Sequence, residues 1–538
     1  MTNPEIASSF AFLAKLMELH KENQFKIRSY KKVAGYLGKL DEPLAGRTTE
    51  QLLELEGVGA AIADKIQQLA TTGEMRTLER YKEQTPEGIQ ALLQIRGLGP
   101  GKIRAVWQEL GVENAIDLIY ACQENRLVDL KGFGSKTQTD VLQKLEFYID
   151  NQGSSLYAHV EEDASSLQEL LSSLPSVLRV EPTGELRRRQ PIIDVLDFLV
   201  QGDAEGIVAD LQKQTDVQLH EDKTSGTWRS RFAFQIHFAE GETFEYEWLR
   251  STGPESFVAA MELSISEKTE EEILKANGLP FIVPVARDLA TTQSPPTLIE
   301  REDILGMIHV HSAYSDGVDS IAELADHAAD LGYCYMGITD HSGIAVFANG
   351  LSPEQVLEQW EEVDKYNEGG RIPVLKGIEC DILSNGDLDY DDDLRAQFEF
   401  VIASVHTNIK MDEAKATARV VRAIENPSTN ILGHPTGRLL LGRDGYPLDM
   451  NQVMDACAAN QVAIELNASP YRLDLDWRWV REAVDRGIQI CINPDAHAKA
   501  AMQYVKYGVY MAQKGWLEPS SCLNARRVDD FLLFCNKG

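Results

Sequence analysis

Between residues 306 and 498 one pattern repeats. An apolar run ends, and a histidine, aspartate or glutamate follows it. "GMIHVHSAYSDG" supplies His309, His311 and Asp316, and "MGITDHSG" supplies His341. "VLKGIECDI" supplies Glu379, "FVIASVHTN" His406, "NILGHPTGR" His434, and "IQICINPDAHA" both Asp495 and His497. Helical stretches such as "SIAELADHAADLG" (320–332) and "DMNQVMDACAANQ" (449–461) lie between the runs. A parallel α/β barrel collects side chains from the carboxyl ends of successive strands, so a distorted barrel of about seven strands is expected. His309 and His311 stand two apart on what reads as a strand end, which points both the same way. The chain has 11 histidines, and six of them fall in this pattern. Imidazoles mixed with carboxylates suit Zn²⁺, Mn²⁺ or Fe²⁺ better than Mg²⁺. Nine ligands exceed the needs of two four-coordinate ions and are well used by three ions sharing one carboxylate.

This set resembles the PHP (polymerase and histidinol phosphatase) domain, a trinuclear metal phosphoesterase. All nine ligand positions of that domain have a match here. The resemblance implies one ion on His309, His311, Glu379 and Asp495. A second would share Glu379 and take His406 and His434, and a third would take Asp316, His341 and His497. Metal-assisted hydrolysis of a phosphoester is the chemistry this implies, with His309, His311, Glu379 and Asp495 at its centre. Arg438 and Arg472 are candidates for binding the phosphate, and a salt bridge to a nearby acid is the competing role for each. Asp340, beside His341, is a candidate outer partner of the ligands.

The first 150 residues carry a threefold internal similarity: "LLELEGVGAAIADKI" (52–66), "LLQIRGLGPGKIRAV" (92–106) and "LVDLKGFGSKTQTDV" (127–141). In each, a helix end meets Gly–apolar–Gly and a second helix follows. The pairs are Gly57/Gly59, Gly97/Gly99 and Gly132/Gly134. Two glycines allow a tight turn, and the next helix offers free N–H groups to an anion. The pattern resembles the helix-hairpin-helix motif, which grips the DNA backbone without reading sequence. Lys102, in the second copy, is a further candidate contact. The third copy, with Phe133 in its turn, could instead only pack helices. "FKIRSYKKVAGYL" (25–37) is basic and aromatic, and with the first hairpin it resembles the lyase domain of family X DNA polymerases. That resemblance would make Lys65 a Schiff-base nucleophile, which needs a lowered pKa. A phosphate contact or a solvated lysine is the plainer reading.

Next, "TGELRRRQPIIDVLDFLV" (183–200) aligns with the nucleotide-binding region of the same polymerases. Gly184, Arg187, Arg188 and Arg189 keep the pattern. Glu185 replaces the serine that meets the triphosphate, Val195 replaces the first catalytic aspartate, and Asp197 remains. Aligning on Pro254–Phe257 places Trp248 at the third aspartate, and the expected Thr-Gly-Ser-Lys turn reads "LSISEKTEEE". Nucleotidyl transfer needs two cations held by several carboxylates. A palm-like fold without polymerisation is therefore expected, unless Asp194 or Glu247 substitutes.

The whole layout resembles that of a bacterial family X DNA polymerase, which implies the following organisation. It is multidomain, α+β and α/β: helical DNA-binding, lyase-like and fingers segments (1–150), a polymerase beta-like palm (151–290), a Ser/Pro linker (291–302) and a PHP barrel (303–538). The net charge is −32, but residues 1–150 hold 19 Lys and Arg against 21 Asp and Glu, while the rest hold 33 against 63. Nucleic acid is thus expected at the first part. The seven scattered cysteines and the lack of an apolar span or signal peptide fit a cytoplasmic chain. The expectation is a monomeric DNA-repair nuclease with three divalent ions, acting on gapped, nicked or abasic DNA as 3′–5′ exonuclease, 3′-phosphatase or abasic endonuclease. Its rivals are an active polymerase with a proofreading barrel, a phosphatase for small esters such as histidinol phosphate, and a non-catalytic DNA-binding scaffold.

Overall fold

The computed structural model describes residues 1–537 except 41, 96, 129, 151–152, 260, 262–268 and 290–294. Residues 262–268 take most of the expected Thr-Gly-Ser-Lys region out of the described residues, and 291–294 take the start of the expected linker. The chain divides into two compact units, Met1–Tyr148 and Ile149–Gly538.

The first unit is built of helices. Its opening helix, Asn3–Leu19, starts on a capping box between Thr2 and Glu5 and buries Ile6, Phe10, Leu13 and Met17, spaced for one face. In the three hairpins only the first glycine is left-handed: Gly57, Gly97 and Gly132 have φ of 78°, 94° and 92°. Gly59 and Gly99 are extended and serve as N-caps of the helices Ala60–Thr72 and Pro100–Leu110. The turn thus reverses at one residue, and the second glycine leaves the helix N-terminus uncapped by any side chain.

In the second unit, a helix Tyr157–Ser173 covers a mixed sheet. Its strands are β1 (Val177–Pro182), β2 (Leu196–Gly202), β3 (Val217–Leu219), β4 (Ser225–Trp228) and β5 (Phe232–Ala239), in the order β1-β2-β5-β4-β3. Only β2 and β5 pair in parallel. Phe198, Val200, Phe234 and Ile236 point into a core with Val160, Leu167 and Leu171. Asp197 and Leu199 alternate with these core residues on β2, and Gln235 and His237 stand in register with them on β5.

Seven parallel strands follow: β6 (Gly306–Val310), β7 (Tyr335–Ile338), β8 (Val374–Asp381), β9 (Phe400–Ser404), β10 (Ile431–Leu432), β11 (Ala463–Asn467) and β12 (Ile490–Asn493). They pair in sequence order, and a single parallel bridge between Val310 and Ala496 joins the two ends, so the barrel is nearly closed. Every residue of β6, β7, β9, β11 and β12 is buried, which is why these strands read as continuous apolar runs.

Candidate metal centre

The closing bridge of the barrel is also where the site is built. Val310 is flanked by His309 and His311, and its partner Ala496 by Asp495 and His497. The seam is tied by His311 N–H to the Ala496 carbonyl (2.9 Å) and by Ala496 N–H to the His309 carbonyl (3.2 Å). Four candidate ligands therefore meet through one backbone contact. The route differs from the expected regular strand end. The register shifts between Met307 and Val310, and His309 is left-handed, with φ of 63°. Asp495, at φ 54°, is left-handed too. An irregular strand end re-aims side chains, and such backbone conformations persist only where surrounding structure holds them.

All nine residues come together, and all but His406, which is nearly so, are buried. Glu379, at the end of β8, is central. Its Oε1 lies 3.3 Å from His309 Nε2, 3.1 Å from His406 Nε2 and 3.0 Å from His434 Nε2. Its Oε2 lies 2.9 Å from His341 Nδ1 and 3.6 Å from His311 Nε2. Asp495 Oδ1 stands 3.2 Å from His311 Nε2 and 3.5 Å from His309 Nε2. Asp316 reaches His341 Nε2 and His497 Nε2, each at 3.5 Å. Ligand atoms within 4.8 Å of one another form four overlapping groups: His311/Asp316/His341/His497, His309/His311/Asp495, His309/Glu379/His434 and His341/Glu379/His406.

These residues fit divalent cations. His309 Nε2 and both ring nitrogens of His311 are buried and make no hydrogen bond among the described residues. Buried polar atoms left in this way are costly unless something else coordinates them. Burial, helped by the neighbouring His497 and His341, pushes the His311 imidazolium pKa down to about 3, while against the same burial nearby carboxylates raise those of His309, His341 and His406. Burial alone would raise the Glu379 carboxyl, but His406, His309 and His341 outweigh it and hold it well below the usual range.

Several partners escaped the sequence reading. Glu465, fully buried on β11, accepts from His309 Nδ1 at 2.5 Å, from the His434 backbone N–H at 2.6 Å and from Asn493 Nδ2 at 2.8 Å. Asp381 Oδ1 accepts from His406 Nδ1 at 3.2 Å. A lone acid inside the apolar "VAIELN" was the available signal for Glu465. Asp340 accepts from Ser312, Ser315 and Gln359 and so fixes the loop that carries Asp316. Of the two roles weighed for Arg438, the structure shows the ion pair: its guanidinium donates to Asp476 and to the carbonyls of Arg472 and Leu473. Those bonds hold the loop after β11 in place. Arg472 is the arginine at the cluster, with Nε 3.7 Å from Asp495 Oδ2.

In the helical unit, Lys65 Nζ donates to the Ala61 carbonyl at 3.0 Å and stands 6.0 Å from the Tyr30 ring. Partial burial lowers its pKa, with Lys26 and Arg80 adding to the shift and Asp64 opposing it. Lys102 Nζ lies 5.5 Å over Phe133, so the second hairpin touches the turn of the third.

Three family models match the chain: a helix-hairpin-helix domain over residues 1–75, a SAM-like helix-hairpin-helix tandem over 89–146, and a PHP domain over 308–469. The DNA polymerase/3′-5′ exonuclease PolX of Bacillus subtilis is 32% identical over 570 aligned positions, which span all of both chains. The chain belongs to the PolX family. It is accordingly an enzyme of the family X polymerase layout, with DNA-binding hairpins and a metal-dependent PHP barrel. The barrel is also similar to proteins named Probable phosphatase from Edwardsiella ictaluri (30% identity, 42% of this chain and 92% of that one) and Shewanella sediminis (26%, 39% and 89%). The PHP match stops before Asp495 and His497. The barrel seam is what brings those two residues to the others.

Against the PolX pattern, the palm shows how its arginine run is used. Arg187 makes a two-pronged pair with Glu270 (2.8 and 2.9 Å), and its guanidinium lies 3.4 Å over the Trp248 ring. Arg188 donates to the Thr252 carbonyl and to Asp288, and Arg189 lies 3.8 Å over Tyr510 of the barrel unit. Trp248, aligned with the third aspartate, is helical. It lies on the helix Phe244–Thr252 rather than on a strand, and its Nε1 donates to the Pro182 carbonyl at 2.9 Å. The residue in register with Asp197 on the neighbouring strand is Gln235. Gly184 is left-handed at φ 57° and lies against Asp197. Glu185 has a raised pKa, from burial and then from Asp194, Asp197 and Asp288, with Arg188 opposing. Val195 precedes β2, and Asp197 Oδ1 is 2.9 Å from His237 Nε2.

Proposed function

We propose that this PolX-family chain is a DNA-repair phosphoesterase that hydrolyses DNA at 3′ ends or beside abasic sites, and that it no longer polymerises. The observation that carries the reading is the convergence of nine buried His, Asp and Glu side chains on the barrel seam. Three divalent ions, Mn²⁺, Zn²⁺ or Fe²⁺, are assigned to them. The first takes His309, His311 and Asp495 with Glu379; the second takes Glu379, His406 and His434; the third takes Asp316, His341 and His497. Bound there, such ions supply a nucleophile at neutral pH and neutralise charge on the phosphoryl oxygens. Glu465 and Asp381 orient His309 and His406, and Arg472, paired with Asp495, is the candidate to meet the phosphate.

Residues 1–150 hold gapped, nicked or abasic DNA through the hairpin N-termini at Gly57–Gly59, Gly97–Gly99 and Gly132–Gly134, with Lys102 beside them. Residues 151–290 are a platform, and residues 303–538 hydrolyse. The loss of polymerase activity rests on Val195 and Gln235, which leave Asp197 without the acids it needs, and on arginines already engaged in ion pairs. Among the described residues, the groups that could hold an ion all lie in the barrel. A monomer acting in the cytoplasm completes the proposal.

The test is a 5′-labelled primer–template incubated in Mn²⁺ with and without dNTPs, for wild type and His309→Ala/His311→Ala. Shortening that disappears in the variant, with no extension by wild type, supports the reading. Extension by dNTPs would make the chain a polymerase.

A further inference from the structure

The loop after β7 carries the ligand His341 and then displays apolar side chains beside the cluster. Ile344 is 52% exposed and Val346 80%. On the same loop is Phe347, whose ring lies 6.3 Å from that of His341 and 6.2 Å from that of His406. An aromatic ring thus stands beside two of the ligand imidazoles.

The loop is rigidly built. Ala345 N–H donates to the Ser342 carbonyl, Gly350 N–H to the Ala345 carbonyl and Leu351 N–H to the His341 carbonyl, at 2.9–3.0 Å. Ile344 N–H donates to Asp389 Oδ2 at 2.8 Å, and Ala345 and Ala348 are fully buried anchors. At Gly350 a Cβ would lie 2.0 Å from the Ser342 carbonyl, so the backbone passes too closely there for any side chain. The apolar residues are thus held outward on a fixed frame, which costs little ordering when a ligand arrives.

We infer that Phe347, flanked by Ile344 and Val346, forms a subsite for the nucleobase of the nucleotide whose phosphodiester meets the cluster. The inference rests on the hydrolytic reading above. A phosphate at Glu379 and His406 would have its own sugar and base one step away, and Phe347, with its ring 6.2 Å from that of His406, is an aromatic group close enough to the cluster to meet that base. Every base has a π-face, so an aromatic wall with apolar flanks favours a base without selecting its sequence. A small, fully charged phosphate ester gains nothing from such a wall. The subsite therefore makes the barrel a reader of nucleotide ends, and Phe347 a specificity-determining residue.

The experiment compares two duplexes that differ only in the 3′-terminal residue, one a normal nucleotide and one an abasic tetrahydrofuran. Release of that residue is measured as kcat/KM in Mn²⁺. Wild type should prefer the base-bearing end, and Phe347→Leu should cut that preference roughly tenfold, the scale of one base–aromatic stack. Phe347→Tyr, which keeps the ring, should retain it. Because the readout is a ratio, a variant that also holds metal less well lowers both rates together and leaves the comparison intact. A preference unchanged in Phe347→Leu, or lost equally in Phe347→Tyr, overturns the subsite. Release of neither end by wild type, or release that persists in His309→Ala, overturns the hydrolytic reading instead.

Discussion

His309 Nδ1 and Glu465 Oε1 stand 2.5 Å apart, both side chains fully buried, across 156 residues of sequence. The carboxylate accepts, so the Nδ1 proton is fixed and Nε2 is left facing Glu379 and Asp495. Carboxylates behind ligating histidines typically govern metal affinity by 10–100-fold. Glu465→Gln is expected to weaken divalent-ion binding by about that factor, read by titrating metal-stripped protein. An unchanged affinity would reduce Glu465 to a packing residue.

The palm's Arg187 is expected to serve stability and not nucleotides. Its pair with Glu270 is largely buried, and Arg287 shares the same carboxylate at 2.8 Å. Removing one partner of a fully buried pair costs about 3–5 kcal/mol, and less is expected here because Arg287 still neutralises Glu270. Arg187→Ala should lower the urea midpoint accordingly, while a labelled dNTP should bind neither wild type nor variant. Saturable dNTP binding that Arg187→Ala abolishes would restore the triphosphate role.

Lys514 gives a pH signature. It is fully buried, donates to the Arg188 carbonyl at 3.0 Å and pairs with Asp288. Burial pushes its pKa down from 10.5 to about 8, with Arg188 adding to the shift and Asp288 opposing it. Between those values the unfolded chain holds a proton that the folded chain has released, so stability climbs with pH from about 8 to 10.5. The slope is at most about 1.4 kcal/mol per pH unit. Below pH 8 both states are protonated and the contribution is flat. Denaturation across this window should show the rise in wild type and a flatter curve in Lys514→Met.

The lyase resemblance and the plainer phosphate-contact reading of Lys65 are separated by one reaction on abasic DNA. The burial of Lys65 and the cations Lys26 and Arg80 lower its pKa, the change an amine nucleophile requires. Borohydride reduction in the presence of incised abasic DNA should crosslink wild type and leave Lys65→Ala uncrosslinked. Equal crosslinking of both would place the nucleophile elsewhere.

Much of the candidate site was legible because ligand identity and strand ends are local properties. A parallel barrel buries its strands on both faces, so each apolar run in residues 306–498 marks a strand, and the polar residue after it marks the same end of the barrel. The helix-hairpin-helix turns were legible for a similar reason, since Gly–apolar–Gly is set within a few residues. What the chain could not disclose locally was pairing. Glu465 reads as one more acid until β11 brings it under His309. Arg438 and Arg472 read alike until the loop after β11 engages one guanidinium and turns the other toward Asp495. Trp248 aligned with a catalytic position, yet the strand register puts Gln235 beside Asp197. The sequence by itself pointed to the residues that could ligate, to about seven strands carrying them and to Val195 where the resemblance places an aspartate. Only the tertiary structure decided which atoms meet, because the seam that joins Val310 to Ala496 depends on the closure of all seven strands, and no local segment holds that information.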